Sequence, residues 1–155
     1  MALTNTEIRG VMIPVSGGRV LLPNASVAEV ITLTTPETIG DAPPWLLGRI
    51  PWRGWRLPLI AYAVLIGQVE TEGSLHARVA VLKAPGAHPR MPYLALLTQG
   101  FPRLVTLTPD VLMPAGDDGH HFGVRSEVLV RDEPAHIPDL QAIEARLLAV
   151  LNIAA

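Results

Sequence analysis

The chain has 155 residues, of which 49% are apolar and 17% charged, and a mean hydropathy of +0.34; this excludes a disordered polyelectrolyte and leaves a folded chain about one domain long. Twelve Lys and Arg against fourteen Asp and Glu give a formal charge of -2, without the positive excess that coats nucleic acid non-specifically. Cysteine is absent, which removes disulfides, zinc thiolate sites, iron-sulfur clusters and thiol catalysis together.

Met1 to Gly10 contains Glu7 and Arg9 and has neither the basic start nor the apolar run of a signal peptide. The longest uncharged apolar stretch, Leu57 to Gly67, falls well short of the roughly 20 residues of a membrane-spanning helix, so a soluble cytoplasmic protein without membrane insertion is expected. Pro (15) and Gly (13) are spread along the whole chain, which predicts many short elements. Between these breaks lie runs of strand length rich in Val, Leu and Ile: Val11 to Val15, Arg19 to Pro23, Val27 to Thr34, Arg56 to Tyr62, Ala77 to Lys83, Tyr93 to Thr98, Arg103 to Thr108 and Gly123 to Arg131. Ser16, Gly17 and Gly18 separate the first two and predict an antiparallel hairpin, because glycine accepts the positive φ of a tight turn. No long crossover helix lies between the runs, which argues against a parallel α/β sheet.

Thr35 to Pro44 and Pro114 to His121 read as loops, and Val69 to His76 as a break near the middle, so that two small barrels or sheets are expected. At the C-terminus Leu140, Ile143, Leu147, Val150 and Leu151 recur at helical spacing behind Pro138 and a capping Asp139. Its polar positions, including Gln141, Glu144 and Arg146, fall largely off the apolar stripe. This predicts one amphipathic helix packed on a β core, with docking into a partner groove as the alternative.

The most distinctive segment is Pro43 to Pro58, which holds all three tryptophans, Trp45, Trp52 and Trp55, and the arginines Arg49, Arg53 and Arg56. Arg53-Gly54 between two tryptophans reads as a tight connection that projects the arginine outward. Two roles compete for this segment. The tryptophans can fill a small core beneath solvated arginines, or the Trp and Arg side chains can serve a partner or a planar ligand.

The order of residues resembles the CheW-like domains, adaptors of bacterial chemosensory arrays. Val27, Glu29 and Val30 match the family's Val-x-Glu-Val/Ile segment, Pro44 to Gly48 its Pro-x-x-hydrophobic-x-Gly lead, and Arg53 and Gly54 its Arg-Gly pair. Leu57 to Ile60 match its Pro-containing strand, Gly67 its later glycine, and Ile137, Asp139 and Leu140 its last turn before the terminal helix. The sequence departs from the family where Pro51 and Trp52 replace Asn-Leu, where Ala61 and Tyr62 stand for Asp-Leu, and where Thr98 and Gln99 stand for Val-Asp. In these departures it is similar to the short CheW-like proteins of type IV pilus chemosensory clusters, which serve twitching motility.

The resemblance implies an all-β fold of two interlocked five-stranded barrels with a C-terminal helix. The chain, 1–155, would be a single domain with subdomains at about 11–68 and 77–138 and a helix at 139–152. It also implies a non-catalytic adaptor near membrane-bound receptor arrays. One face would engage the regulatory domain of a CheA-type histidine kinase, and a groove between the barrels would take the cytoplasmic tip of a methyl-accepting chemoreceptor. At the matched positions, Val27, Glu29, Val30, Arg53 and Gly54 are the expected partner-binding residues, with a carboxylate and a guanidinium giving orientation and the valines giving buried area. Trp52, Trp55 and Arg56 are the expected residues of a secondary binding surface.

No cofactor is called for. His120 and His121 follow Asp117 and Asp118, with His136 further on, but adjacent histidines on a strand point to opposite faces, so a solvated turn is expected and no metal site. Ser16, Ser26, Ser74 and Ser126 lie in no Gly-x-Ser-x-Gly elbow, and no Gly-Lys-Ser/Thr phosphate loop occurs. The competing function is a small β-barrel that binds single-stranded nucleic acid or another planar ligand through Trp52, Trp55, Arg53 and Arg56. Against that reading, the slightly acidic total makes nucleic acid the less favoured partner.

Overall fold

Alternate residues of the first hairpin go to different cores. In the computed structural model, which describes residues 7–73, 76–115 and 122–153, strand β1 (Ile8–Val15) sends Val11, Ile13 and Val15 into one buried cluster and Met12 into another. Strand β2 (Gly18–Pro23) divides Val20 and Leu22 from Leu21 in the same way. The two strands are joined through Ser16 and Gly17, with Val15 opposite Gly18 and Gly17 at φ 80°, the expected hairpin turn.

The remaining strands are β3 (Val27–Thr32), β4 (Leu46–Trp52), β5 (Trp55–Ile60), β6 (Arg78–His88), β7 (Met91–Thr98), β8 (Arg103–Leu107), β9 (Leu112–Pro114), β10 (Val124–Val130) and β11 (Glu133–Pro138). A short helix α1 (Tyr62–Leu65) follows β5, and α2 (Leu140–Val150) closes the described chain. Among the described residues these strands form a six-stranded sheet in the order β8-β1-β2-β11-β10-β9 and a five-stranded sheet in the order β3-β6-β7-β5-β4. The fold is all-β with a terminal helix, and the sixth strand of the larger sheet is the three-residue β9.

Sheet membership cuts across the break at residues 69–76. The N-terminal hairpin pairs with β8 and β11 from the second half, and the β6–β7 hairpin inserts between β3 and β5 from the first. That exchange interlocks the two units. Pairing is antiparallel except where β2 meets β11 and β5 meets β7, and neither parallel pair is joined by a crossover helix.

Three strands lie where no separate run stood out. In β4, Gly48, Arg49 and Pro51 interrupt the apolar pattern, and the ladder with β5 is irregular between Leu46 and Gly48. Strand β11 contains Pro134 and Pro138, tolerated because its contact with β2 is one bridge, His136 to Val20, that asks nothing of the prolines. The short β9 follows a turn at Thr108 to Val111. Conversely, the run Arg56 to Tyr62 ends as a strand at Ile60, and Tyr62 opens α1. The buried Tyr62 hydroxyl donates to the Gly123 carbonyl at 2.9 Å; burial first, then the charges of Asp139 and Glu127, push its pKa far up and keep it a neutral donor.

Helix α2 packs on the β core, with Ile143 and Leu147 in the cluster shared by both sheets and Asp139 capping the Ala142 N–H. Glu144 is not on the solvated face: it is buried and takes the Gly86 N–H on both carboxylate oxygens, at 2.9 and 3.0 Å. Within the mid-chain break, Glu72 accepts from the Ser16 N–H, the Ala63 N–H and the Gln99 side-chain amide, tying the first turn, α1 and the end of β7 together. The segment read as the loop Thr35 to Pro44 carries a backbone bridge from Glu37 to Arg49 of β4, at 2.8 Å in both directions. The loop Pro114 to His121 begins at the end of β9; Asp117, Asp118, His120 and His121 lie outside the described residues, as do Met1 to Thr6 and Ser74.

Two outcomes test this account. A β-carbon at Gly48, where φ is 141°, would stand 2.4 Å from the Glu37 carbonyl oxygen, so Gly48→Ala must open the Glu37–Arg49 bridge. Its expected cost is about 3 kcal/mol in denaturant unfolding, and a cost under about 1 kcal/mol would show that the bridge is dispensable. In the larger sheet Glu133 bonds to Arg103 at 2.8 Å and pairs with Arg19 at 3.3 Å. The Arg103 hydrogen bond, aided by the two positive charges, holds this carboxyl below its ordinary value of 4.5. The folded state thus binds this proton less readily than the unfolded chain. The stabilisation is fully present above pH 4.5 and is lost as pH falls through the folded value. Glu133→Gln should therefore lower the melting temperature at neutral pH and flatten its fall on acidification, and an unchanged acid limb would assign that fall to other groups.

Candidate partner-binding surface

Strand β3 alternates along an edge of the five-stranded sheet. Val27, Glu29 and Ile31 are half-buried, while Ala28, Val30 and Thr32 are exposed. Strand β4 forms the opposite edge and turns into β5 through Arg53 and Gly54, with Trp52 and Trp55 as the flanking pair. Both turn residues are left-handed, at φ 46° and 81°, the backbone of a two-residue hairpin whose twist suits its strands.

The sheet coils until its two edges meet. At the meeting point the Trp52 indole N–H donates to Glu29 Oε1 at 3.0 Å, and Arg53 Nη2 donates to the same oxygen at 3.0 Å. The guanidinium lies 5.0 Å from the Trp52 ring centre, and the indole meets Tyr93 edge-on at 4.8 Å. Trp52 is 8% exposed and belongs to the core of this sheet with Ile50, Leu57 and Leu59. The side chains of Arg53 and Glu29 are 69% and 39% exposed. A buried ring therefore presents an ion pair to solvent.

Glu29 and Arg53, chosen from separate motifs, are thus brought together. Val30 and Trp55, each 37% exposed, supply apolar area on the same barrel, and Gly54 completes the turn. Val27 is placed differently: it packs against the core shared by the two sheets, so most of its surface is committed to the fold. Arg56 pairs with Glu37, both well exposed. A stacking platform made of Trp52, Trp55, Arg53 and Arg56 is not assembled, since Trp52 is buried with its N–H engaged and both arginines face carboxylates. Neither Glu37 as the partner of Arg56 nor Trp52 as a donor to Glu29 was readable from local sequence: the first follows from the Glu37–Arg49 bridge beside β4 and β5, the second from the coiling of the sheet.

Elsewhere, a cleft of about 270 Å³ between the end of α1 and strands β10 and β11 is lined by Ile66, Gly67, Gln68, Val124, Glu127 and His136. His136 Nε2 lies 3.7 Å from Glu127 Oε1. Among the described residues no group of three or more His, Asp or Glu could hold a metal ion, and no helix is long and apolar enough to cross a membrane.

A coiled five-stranded sheet interlocked with a second sheet, a terminal helix over their common core and a Glu–Arg pair at a β-turn can be set beside known proteins. Residues 9–147 match the CheW-like domain. The chain belongs to the CheW-like domain family. Among solved structures, the crystal structure of the scaffolding protein TtCheW from Thermoanaerobacter tengcongensis superposes with a TM-score of 0.72, covering 90% of this chain and 89% of that one at 16% identity, a likeness of fold. No curated protein matches the sequence. Within this CheW-like domain, the Val-x-Glu-Val segment is the edge strand β3 and the Arg-Gly pair is the β4–β5 turn, two stretches far apart in sequence that the family fold places side by side.

An exposed ion pair contributes at most about 1 kcal/mol, whereas truncating a buried Trp costs about 3–5 kcal/mol. A left-handed Arg gives up about 1–2 kcal/mol that Gly would recover, less the greater entropy Gly loses on folding. Arg53→Gly should therefore stay within about 1 kcal/mol of wild type in urea unfolding while Trp52→Ala loses about 3–5 kcal/mol. A large loss in Arg53→Gly would make the pair a structural element and remove the reason to regard it as a presented surface.

Proposed function

We propose that this CheW-like domain is a non-catalytic adaptor that couples a methyl-accepting chemoreceptor to a CheA-type histidine kinase, and that Glu29 and Arg53 form its kinase-facing contact. The observation that carries this reading is the exposed pair itself, held on a buried indole where two edge strands converge. A pair that adds little to stability but is fixed in orientation suits recognition, because charge complementarity sets partner and register more than it adds affinity. Val30 and Trp55 would supply the apolar area that an ion pair cannot.

The mechanism is geometric. By holding kinase and receptor at fixed relative positions, the adaptor lets a small receptor movement bias two kinase states, and the coupling cannot exceed the difference in contacts between those states. Multivalent assembly raises the effective concentration, so pairwise contacts of about micromolar Kd suffice.

The test is direct binding, by calorimetry, of a CheA-type regulatory domain and of a receptor-tip fragment from the source organism to wild type, Glu29→Lys and Arg53→Asp, each first shown to be folded by circular dichroism. Each reversal should weaken kinase binding by roughly tenfold or more, as expected of a charged residue at an interface centre. Undiminished binding in both variants would remove these two residues from the interface. Absence of kinase and receptor binding by the wild type, with salt-sensitive binding of an oligonucleotide instead, would replace the adaptor reading with a nucleic-acid one.

A further inference from the structure

Both hydrogen bonds that reach Glu29, from the Trp52 indole and from Arg53, end on Oε1; among the described residues none reaches Oε2. The two donors differ in kind. Arg53 lies on a turn at the end of a long side chain that is 69% exposed, so it can follow the carboxylate as it rotates. The indole cannot: its ring is wedged in the core and set edge-on against Tyr93, and its N–H points along one fixed direction. A rigid donor at Oε1 fixes where the second oxygen lies. Trp52 is also one of the two residues at which this chain departs from the Asn-Leu pattern, and a leucine there would have no N–H to offer.

We propose that Trp52 is a positioning residue for the partner-binding pair: it holds Glu29 so that Oε2 stands ready to accept a hydrogen bond from a donor group on the partner. This deepens the adaptor reading and, for the partner's identity, rests on it. The partner group is a neutral or cationic hydrogen-bond donor, an N–H or an O–H, since a partner carboxylate would meet Glu29 as a like charge. Without the indole N–H, the carboxylate and Arg53 would still pair but in many orientations, and the partner would have to select one of them at a cost in affinity.

The discriminating variant is Trp52→Phe, which keeps an aromatic ring against Tyr93 and deletes the N–H. Three measurements accompany it. NMR relaxation of the Glu29 side chain should show greater motion in the variant, because the carboxylate loses its rigid donor. Binding of the kinase regulatory domain should weaken by about two- to tenfold, the cost of ordering one side chain on binding. In a Glu29→Ala background, the same Trp52→Phe change should cost no further affinity, since its effect passes through Glu29.

Equal losses in both backgrounds would mean that the ring acts through packing or direct contact, and the proposal would fail. It would fail equally if Trp52→Phe changed neither the motion of the Glu29 side chain nor the affinity. Should wild type bind neither kinase nor receptor, the adaptor reading falls while the NMR relaxation of Glu29 still decides the role of Trp52: a gain in side-chain motion upholds the positioning role, and unchanged motion overturns it.

Discussion

Over residues 11–13 of β1, 20–22 of β2, 79–82 of β6 and 94–97 of β7 neither face is open to water, and the architecture follows from that constraint. On each of them the odd and even residues belong to different cores. Ala80, Leu82 and Ala84 of β6 and Leu94 and Leu96 of β7 meet Val11, Ile13, Val20 and Leu22 in the cluster common to both sheets. Val79, Val81, Ala95 and Leu97 fill the interior of the five-stranded sheet, and Met12 and Leu21 that of the six-stranded one. A slip of one residue in any of these strands would exchange the contents of two cores at once, so register is doubly specified. The exchange of hairpins between the halves serves the same end, since each half places two-faced strands within the sheet that is completed by the other.

What is left for function is the periphery. The edges of the smaller sheet, β3 and β4, carry the polar and partly exposed positions, and an open edge invites pairing with other chains. Here the two edges are turned toward each other. They are joined by the side-chain contacts of Trp52 and Arg53 with Glu29, and the loop that follows β3 adds a backbone bridge from Glu37 to Arg49 of β4, which requires a residue without a side chain at Gly48. The proposed recognition surface is thus a by-product of closing the sheet: the residues that cap the seam are those we propose face a partner.

This division explains what could be read in advance. Strands buried on both faces appear in the sequence as unbroken Val, Leu and Ile runs, and β1, β2, β6 and β7 were legible for that reason. Strand β4 was hidden because an edge strand with a glycine bulge, an outward Arg49 and Pro51 has no continuous pattern. The short α1 was absorbed into the apolar run before it, since four residues give no helical period. Glu144 read as solvated because charge is usually exposed, yet the Gly86 N–H gives its carboxylate a buried partner. At the site, Glu29 and Arg53 were legible through the order of family motifs, but their contact was not. They are 24 residues apart on opposite edges of one sheet, and only its coiling makes them neighbours.

Backbone strain alone would not have singled out this surface. Arg53 is left-handed, but so are Ala87 in the β6–β7 hairpin and Arg131 and Asp132 in the β10–β11 turn, and the fold carries them all. What distinguishes Arg53 is that the same residue accepts an unfavourable backbone, stacks on a buried indole and leaves most of its guanidinium in solvent. Stability would be served as well by glycine at that turn position, and the buried Trp52 N–H needs an acceptor at Glu29 but not one paired with an arginine. A residue kept against the preference of its own backbone, in a contact worth little to the fold, is best explained by something outside the fold. The adaptor role we propose has this requirement: without chemistry to perform, its selectivity must reside in a few groups whose directions are fixed before the partner arrives, and a rigid indole beneath an exposed charge pair is suited to fix them.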